Sequence, residues 1–439
     1  MAEGDVVFAK VEGQNVFYQI LDAETNEETF DRNPRGTHIV RASQLGLYHQ
    51  DSGFLRSTWL PEMNTPLFAA KAITLPPKVI GERAFAVGNV PGTSIPIVAD
   101  IDEMIAYHTA VLGVTGTGKT ELALDVISNA LRTGAKVLCV DLTGEYKVRL
   151  GKHKPVEIGP AQEDVAALEK LIFDVDAGEF KASREKRVLR EAIADLQTSA
   201  ADQIQSFLED RASSLAIIEL EEISNSRASL MIIEQYLSTV MQWAKRRPKA
   251  LRILIALEEA HTIIPETAGA GFDFDTQWVV GRVGQIALQG RKYGVGLLLI
   301  SQRTALVSKT VLSQCNTFLT HRMLDQTSLQ FLANIYSPEH VAAIPRLADR
   351  EFVAYGKAIQ AERPVLVRRP FDPKLKAASD GLRRPMLSGS GSPQDKAVFG
   401  SIARLLLLRS ERLQDEQDFI DEMRADDRNP PDGADEVPW

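Results

Sequence analysis

The sequence predicts an α/β protein with a mainly parallel, buried central sheet, and three observations support this fold class. A glycine-rich loop joins an apolar run to a stretch with helical spacing at residues 111–131. Further short apolar runs alternate with helical stretches, which is typical of a parallel sheet with crossover helices. One run, residues 251–257, is apolar except for Arg252, as expected for a strand that is buried on both faces.

Composition bounds the possible classes of protein. The 439 residues allow two or three domains, and 44% hydrophobic with 25% charged residues argues against extensive disorder. We expect a cytoplasmic location, because no apolar run could cross a bilayer and residues 1–5 lack a secretion-signal pattern. Cys139 and Cys315 lie in or beside apolar runs, which favours buried thiols over a disulfide or a zinc site. The net charge of −9 lowers the expectation of a nucleic-acid partner, although a ring-shaped motor needs positive charge only in its channel.

Residues 1 to about 100 predict a separate β-rich domain. Short strand-like runs are broken by turn clusters such as residues 33–36. The runs lie at residues 6–8, 16–20, 37–40 and 84–87. A small β-barrel is the natural arrangement for such strands, and an irregular β cap on the following domain is the alternative.

The loop at residues 113–120 has the phosphate-binding pattern Gly-x-x-x-x-Gly-Lys-Thr. Its glycines let backbone N–H groups point at phosphates, and the helix that follows adds a positive end. The pattern predicts that Lys119 reaches the β and γ phosphates of ATP and that Thr120 holds Mg²⁺. A ligand-free turn is the alternative, but the flanking strand and helix argue against it. The predicted nucleotide-binding residues are Gly113, Thr115, Gly116, Thr117, Gly118, Lys119, Thr120 and Glu121.

A second motif follows the apolar run at residues 251–257, which ends in Glu-Glu-Ala-His. An acidic residue at such a strand end orients the Mg²⁺ shell, and a second carboxylate polarises the attacking water. We therefore assign Glu258 to Mg²⁺ and Glu259 to catalysis, with a pair of solvated acids as the alternative. His261 either orients Glu259 or is simply packed.

A polar residue ends another apolar run. Gln302 follows the run that begins at residue 297, and its amide can hydrogen-bond the γ-phosphate or the attacking water. It is therefore our candidate sensor of hydrolysis.

Several motifs in this order resemble HerA, the hexameric DNA translocase of the HerA and FtsK superfamily. They are the Gly-to-Ile-Pro-Ile step at residues 88–97 with His108, the phosphate loop, Asp-x-x-Gly-Glu-Tyr at 141–146, Glu-Glu-Ala-His at 258–261, Arg-Lys-Tyr-Gly at 291–294 leading into Ser-Gln-Arg at 301–303, and residues 310–317. The resemblance spans about residues 85–370. Walker B strands, which carry the acidic residue for Mg²⁺ in P-loop proteins, generally end in Asp, so Glu258 departs from that pattern. HerA-like sequences, however, resemble the Glu-Glu-Ala-His motif found here.

The resemblance implies a domain plan and an assembly. It implies a β-barrel at residues 1–100, similar to that of ATP synthase subunits, and a RecA-like P-loop ATPase core at residues 101–372 with a helical insertion at about 160–211. It also implies a homohexamer in which an arginine reaches the neighbouring subunit's nucleotide. Arg322 is our first choice for this finger and Arg291 the second, with a surface or intrasubunit salt bridge as the alternative for either.

Residues 373–439 predict a linker, a C-terminal helix and an acidic tail. Leu-Ser-Gly-Ser-Gly at residues 387–391 is similar to an ABC transporter signature only superficially, and a flexible Ser/Gly/Pro linker is favoured. An apolar helical face occupies about residues 398–408, and the acidic stretch from 415 onward is expected to be mobile.

The resemblance implies an ATP-driven translocase or helicase that pulls duplex DNA by its phosphates. Basic residues at 181–190 and 245–247 are candidate backbone contacts, although a solvated helix face is favoured for the first run. A partner nuclease similar to NurA or a sirtuin-like effector would place the protein in DNA repair or antiphage defence. The alternative is an ATP-binding ring scaffold that assembles and regulates such an effector. A GTPase is disfavoured, because no Asn-Lys-x-Asp motif occurs.

Overall fold

A computed structural model of the chain describes residues 3–26, 37–70, 75–177, 182–220, 226–266 and 274–370. The predicted linker, C-terminal helix and acidic tail lie outside these residues, as does most of the glycine-rich stretch after residue 266. None of the helices within these ranges is long and apolar enough to span a membrane.

The N-terminal strands form an antiparallel sheet of five strands within the described residues, in the order β4-β3-β2-β1-β5. The strands are β1 (Val6–Val11), β2 (Gln14–Asn26), β3 (Thr37–His49), β4 (Gly53–Leu55) and β5 (Leu67–Ala69). Glu12 and Gly13 both have positive φ (49° and 77°), which makes the tight turn between β1 and β2. The region thus contains an antiparallel sheet, as its strand-like runs predicted, whereas a separate domain and closure of the sheet into a barrel stay predictions.

The core of the described chain is an eleven-stranded sheet in the order β10-β11-β9-β12-β13-β8-β14-β15-β16-β6-β7. The seven strands from β10 to β14 pair in parallel, which confirms the predicted α/β class. The strands are β6 (Ala84–Asn89), β7 (Pro96–Asp100), β8 (Thr109–Leu112), β9 (Lys136–Asp141), β10 (Val156–Ile158), β11 (Leu215–Glu219), β12 (Ile253–Leu257), β13 (Val295–Ser301), β14 (Thr317–His321), β15 (Glu351–Gly356) and β16 (Val365–Arg368).

Strands β6 and β7 belong to the core sheet, although the sequence analysis assigned their residues to the N-terminal domain that ends near residue 100. They pair with each other and join the core sheet where Asn89 lies opposite Arg368 of β16. The run at residues 84–87 has the local pattern of any half-buried strand. Its partner is distant in sequence, so the pattern could not indicate which sheet it joins.

Helices cover both faces of the core sheet. They are α1 (Ile101–Ala106), α2 (Lys119–Arg132), α3 (Glu145–Arg149), α4 (Gln162–Ala177), α5 (Ala182–Glu209), α6 (Ser226–Arg246), α7 (Ala260–Ile263), α8 (Phe274–Tyr293), α9 (Lys309–Leu312), α10 (Gln326–Leu332) and α11 (Pro338–Ala343). The apolar sides of α4, α5, α6 and α8 belong to one buried cluster. Helices α1 and α2 and the N-terminal sheet belong to the other. Helices α4 and α5 occupy the predicted insertion, and the parallel strands bring the loops at their carboxyl ends to one edge.

Candidate nucleotide site

The phosphate loop connects β8 to α2 at the carboxyl edge of the sheet. Gly113, Gly116 and Gly118 have φ values of 146°, 83° and 104°, a region in which residues with a Cβ are strained. The Thr117 hydroxyl donates to the Val114 carbonyl at 2.8 Å and closes the loop on itself. The backbone therefore takes the turn that the glycine spacing predicted.

Lys119 lies inside this loop. Its side chain is buried, and its Nζ donates to the Val114 carbonyl at 2.9 Å. Burial lowers the pKa of Lys119, while the nearby carboxylates of Glu258 and Glu259 act in the opposite direction. A buried ammonium group in a glycine loop is suited to an anionic ligand, because a phosphate would replace the solvation that burial removes.

Glu258 directly follows β12 and is buried, with 5% of its surface exposed. The Tyr146 hydroxyl donates to its carboxylate at 2.5 Å. Burial raises the pKa of the Glu258 carboxyl to about 7, and the negative charges of Glu259 and Asp141 add to this, against the effects of Tyr146 and Lys119. Its ionised form would therefore be stabilised by a bound cation.

Asp141 organises the turn that places Tyr146. Its carboxylate is fully buried and accepts hydrogen bonds from three backbone N–H groups and one hydroxyl, at 2.8 to 3.1 Å. The donors are the amides of Thr143, Gly144 and Tyr146 and the hydroxyl of Thr143. The motif at residues 141–146 thus reaches the site through Tyr146, a role that the sequence analysis missed.

Gln302 connects the phosphate loop to the acidic pair. It follows β13, the strand that lies between β8 and β12. The Thr115 hydroxyl donates to its Oε1, and its Nε2 donates to Oε1 of Glu259. The side chain that the sequence proposed as a sensor therefore bridges the loop and the proposed catalytic carboxylate.

Glu259 adopts a backbone conformation that is uncommon for a residue with a side chain. Its φ of 49° places it in the left-handed region at the start of α7. Its buried Oε2 has no hydrogen-bond partner among the described residues, although Nδ1 of His261 lies 3.3 Å away. Burial lowers the pKa of His261, which favours the neutral ring. One carboxylate oxygen is thus held by Gln302, and the other is buried beside His261.

The residues at this edge fit Mg²⁺ bound together with a nucleotide. Glu258 and Glu259 offer only oxygen atoms, and Thr120 adds a hydroxyl in the first turn of α2. No group of three or more metal-ligating side chains occurs in the part of the chain that the structure describes.

A family model described as the central domain of the helicase HerA matches residues 85–264. A probable helicase of Methanocaldococcus jannaschii is 21% identical over 376 residues, covering 70% of this chain and 71% of that protein. The DNA double-strand break repair helicase HerA of Pyrococcus furiosus is 36% identical over 122 residues, covering 27% of this chain and 20% of that protein. Residues 85–264 are therefore identified as a HerA-type central domain, and the chain is an ATPase. Among solved structures, VirB4 of Thermoanaerobacter pseudethanolicus aligns with a TM-score of 0.45 and 14% identity over 66% of this chain and 97% of that one.

The two candidate arginine fingers of this HerA-type ATPase lie in different places. The main-chain carbonyl of Arg322, just after β14, accepts a hydrogen bond from the Val114 N–H at 2.9 Å. The Arg322 side chain contacts Asp349 and the Leu347 carbonyl of the same chain. Arg291 lies in the last turn of α8, just before β13. Its Cζ is 3.8 Å from the centroid of the Tyr107 ring. It therefore lies at the amino edge of the sheet, opposite the phosphate loop of its own chain.

Three other residues that the sequence analysis singled out have partners in their own chain. Glu121 forms an ion pair with the buried Arg149. Arg247 pairs with Glu209, and the exposed Arg187 lies 3.7 Å from Glu191. Lys181 lies outside the described residues.

Buried groups elsewhere in the HerA-type chain serve packing. The ring of His108 donates to the Ala287 carbonyl and accepts from the Leu297 N–H, so it joins α8 to β13. Cys139 and Cys315 are buried free thiols, as predicted.

Proposed function

We propose that this ATPase is a DNA translocase or helicase of the HerA type. It works as a homohexamer and moves duplex DNA through ATP hydrolysis at its subunit interfaces. The observation that carries the proposal is the hydrogen-bonded path from Thr115 through Gln302 to Glu259, because it joins the phosphate loop to the residue that would act on water. The relatives that are DNA-repair helicases support DNA as the substrate.

Each residue of the site has a part in the proposed hydrolysis. Lys119 binds the β and γ phosphates once it leaves the Val114 carbonyl. Glu259 orients the attacking water and accepts its proton at Oε2. Gln302 holds the other oxygen of that carboxylate and responds to the state of the γ-phosphate. Mg²⁺, held by Thr120 and Glu258, would neutralise phosphate charge.

Arg322 links neighbouring subunits in this proposal. Its side chain leaves Asp349 and reaches the nucleotide of the next subunit, where it stabilises the charge of the transition state. Its main chain is bonded to the phosphate loop of its own subunit, so nucleotide-dependent movement of that loop would move the finger. This linkage supports sequential hydrolysis around a ring.

The DNA would be held by its phosphates, without sequence reading. Lys245 and Arg246 at the end of α6 and the exposed Arg187 and Arg190 of α5 are the candidate contacts. A NurA-like nuclease or a sirtuin-like effector would be the partner, in DNA repair or in antiphage defence.

Steady-state ATP hydrolysis with and without linear duplex DNA tests the proposal, with Glu259→Gln as the blank. We expect several-fold stimulation that weakens as salt is raised, because phosphate contacts release counterions. Hydrolysis that is indifferent to DNA would contradict the motor. It would favour the alternative scaffold, whose activity would appear only with its effector.

A further inference from the structure

Arg350 lies beside the phosphate loop, in the turn that leads into β15. Its N–H donates to the Thr117 carbonyl at 3.0 Å, and its own carbonyl accepts from the Arg369 N–H at 3.0 Å. The main chain of this arginine is therefore fixed between the loop and the end of β16.

The backbone of Arg350 is in the left-handed region, with a φ of 67°. A residue with a Cβ is strained there, whereas glycine adopts this conformation readily. Strained non-glycine residues persist where the surroundings hold them and are concentrated at functional sites. The presence of an arginine where glycine would be more stable directs attention to its side chain.

The side chain of Arg350 passes the last glycine of the loop. A Cβ built on Gly118 would lie 3.8 Å from Cγ of Arg350. Gly118 precedes the first turn of α2, whose N–H groups face the phosphates of a bound nucleotide. Arg350 is exposed, and its guanidinium extends beyond Cγ by a chain long enough to reach a phosphate there.

The direction of the nucleotide follows from the groups at its reactive end. Gln302 and Glu259 mark the γ-phosphate on the side of β13. The remaining phosphates and the nucleoside must then run past Gly118 toward the opposite side, where β14 and β15 lie. Arg350 is on that side.

We propose that Arg350 binds the nucleotide of its own subunit by donating hydrogen bonds to the α-phosphate. This inference deepens the proposed function and depends on its ATP site, but not on DNA. Since ATP and ADP share this phosphate, Arg350 strengthens the binding of both and takes no part in the attack on the γ-phosphate.

Binding of a fluorescent ADP to the full chain without DNA tests this role. Arg350→Gly removes the guanidinium and suits a φ of 67°, so the fold is retained. We expect its ADP dissociation constant to rise about tenfold, with a smaller rise for Arg350→Lys. We expect no change for Arg211→Ala, which removes an exposed arginine outside the proposed nucleotide and DNA contacts.

Two results would overturn the assignment. ADP binding by Arg350→Gly that matches wild type would show that the guanidinium does not hold the nucleotide. Weakened binding shared equally by Arg211→Ala would show an effect of net charge alone. Wild-type protein that failed to bind ADP would instead contradict the nucleotide site itself, and a failure of DNA stimulation would leave this assay unaffected.

Discussion

The two sides of the phosphate loop differ in how far side chains take part in holding it. Toward β13, the Gly113 N–H donates to the Ser301 carbonyl at 3.3 Å, and side chains then join the loop to the acidic residues, from Thr115 through Gln302 to Glu259. Toward β14, the main chain holds the loop, at the Arg322 carbonyl and the Arg350 N–H. Side chains can exchange partners when a phosphate arrives, whereas main-chain bonds keep two segments in register. The first side is therefore suited to chemistry and the second to fixing the loop and transmitting its movement.

Gly113 shows how closely the second side approaches. A Cβ at this position would lie 2.6 Å from Cβ of the fully buried His321. The first glycine of the motif is thus required by the neighbouring strand as well as by the loop's own turn.

The largest expected effect is that of Arg322→Ala. We expect turnover to fall by about 10³-fold or more with nucleotide binding retained, because the finger stabilises only the transition state. Mixing this variant with Glu259→Gln subunits should restore hydrolysis, since some interfaces would then contain both residues. Steady-state hydrolysis of the mixture measures this. No recovery over a range of mixing ratios would contradict a site shared between subunits.

Glu259→Gln tests the chemistry on the β13 side. Removing the proton acceptor should lower turnover by about 10²- to 10⁴-fold, while the amide oxygen can still accept from Gln302. Fluorescent ATP binding and phosphate release separate the two effects. Lys119→Ala is the comparison, because it should lose binding as well as turnover. Normal hydrolysis by Glu259→Gln would refute the catalytic assignment.

Gly113→Ala tests the close packing on the β14 side. We expect the free energy of unfolding to fall by about 1–3 kcal/mol, because the new methyl group would clash with His321. Denaturant unfolding measures this. Gly116→Ala is the matched control, since it also has positive φ but no atom near the added Cβ. Equal losses in the two variants would mean that backbone strain alone explains the glycine at position 113.

Gln302→Ala should have the smallest effect. Losing the bridge between Thr115 and Glu259 removes hydrogen bonds that position the carboxylate, so we expect turnover to fall about tenfold with little change in ATP affinity. The exposed Gln330→Ala on α10 is the control for the substitution itself. Wild-type turnover in Gln302→Ala would contradict the role of this bridge in positioning the Glu259 carboxylate.

The sequence was sufficient for features that depend on neighbouring residues. The loop, the acidic pair and Gln302 each follow an apolar run, and a buried parallel strand is recognisable from such a run alone. Because the carboxyl ends of parallel strands share one edge, the convergence of Lys119, Glu259 and Gln302 also followed from the order of the motifs.

Features that depend on distant pairing could not be predicted. Tyr146 reaches Glu258 across 112 residues, and nothing local to either one indicates the contact. The positive φ of Arg350 arises from bonds to the loop and to β16, so its sequence reads as an ordinary turn. Arg291 contacts Tyr107 across 184 residues, and nothing local to either one indicates that contact.

Displacement of a triplex-forming oligonucleotide from linear duplex DNA measures movement along DNA most directly. We expect ATP-dependent displacement by the wild-type protein and none by Glu259→Gln, which retains ATP but does not hydrolyse it. Displacement should also require DNA on which the protein can travel to the triplex. Robust ATP hydrolysis without displacement, or equal displacement by the Glu259→Gln variant, would contradict the claim that this site drives translocation.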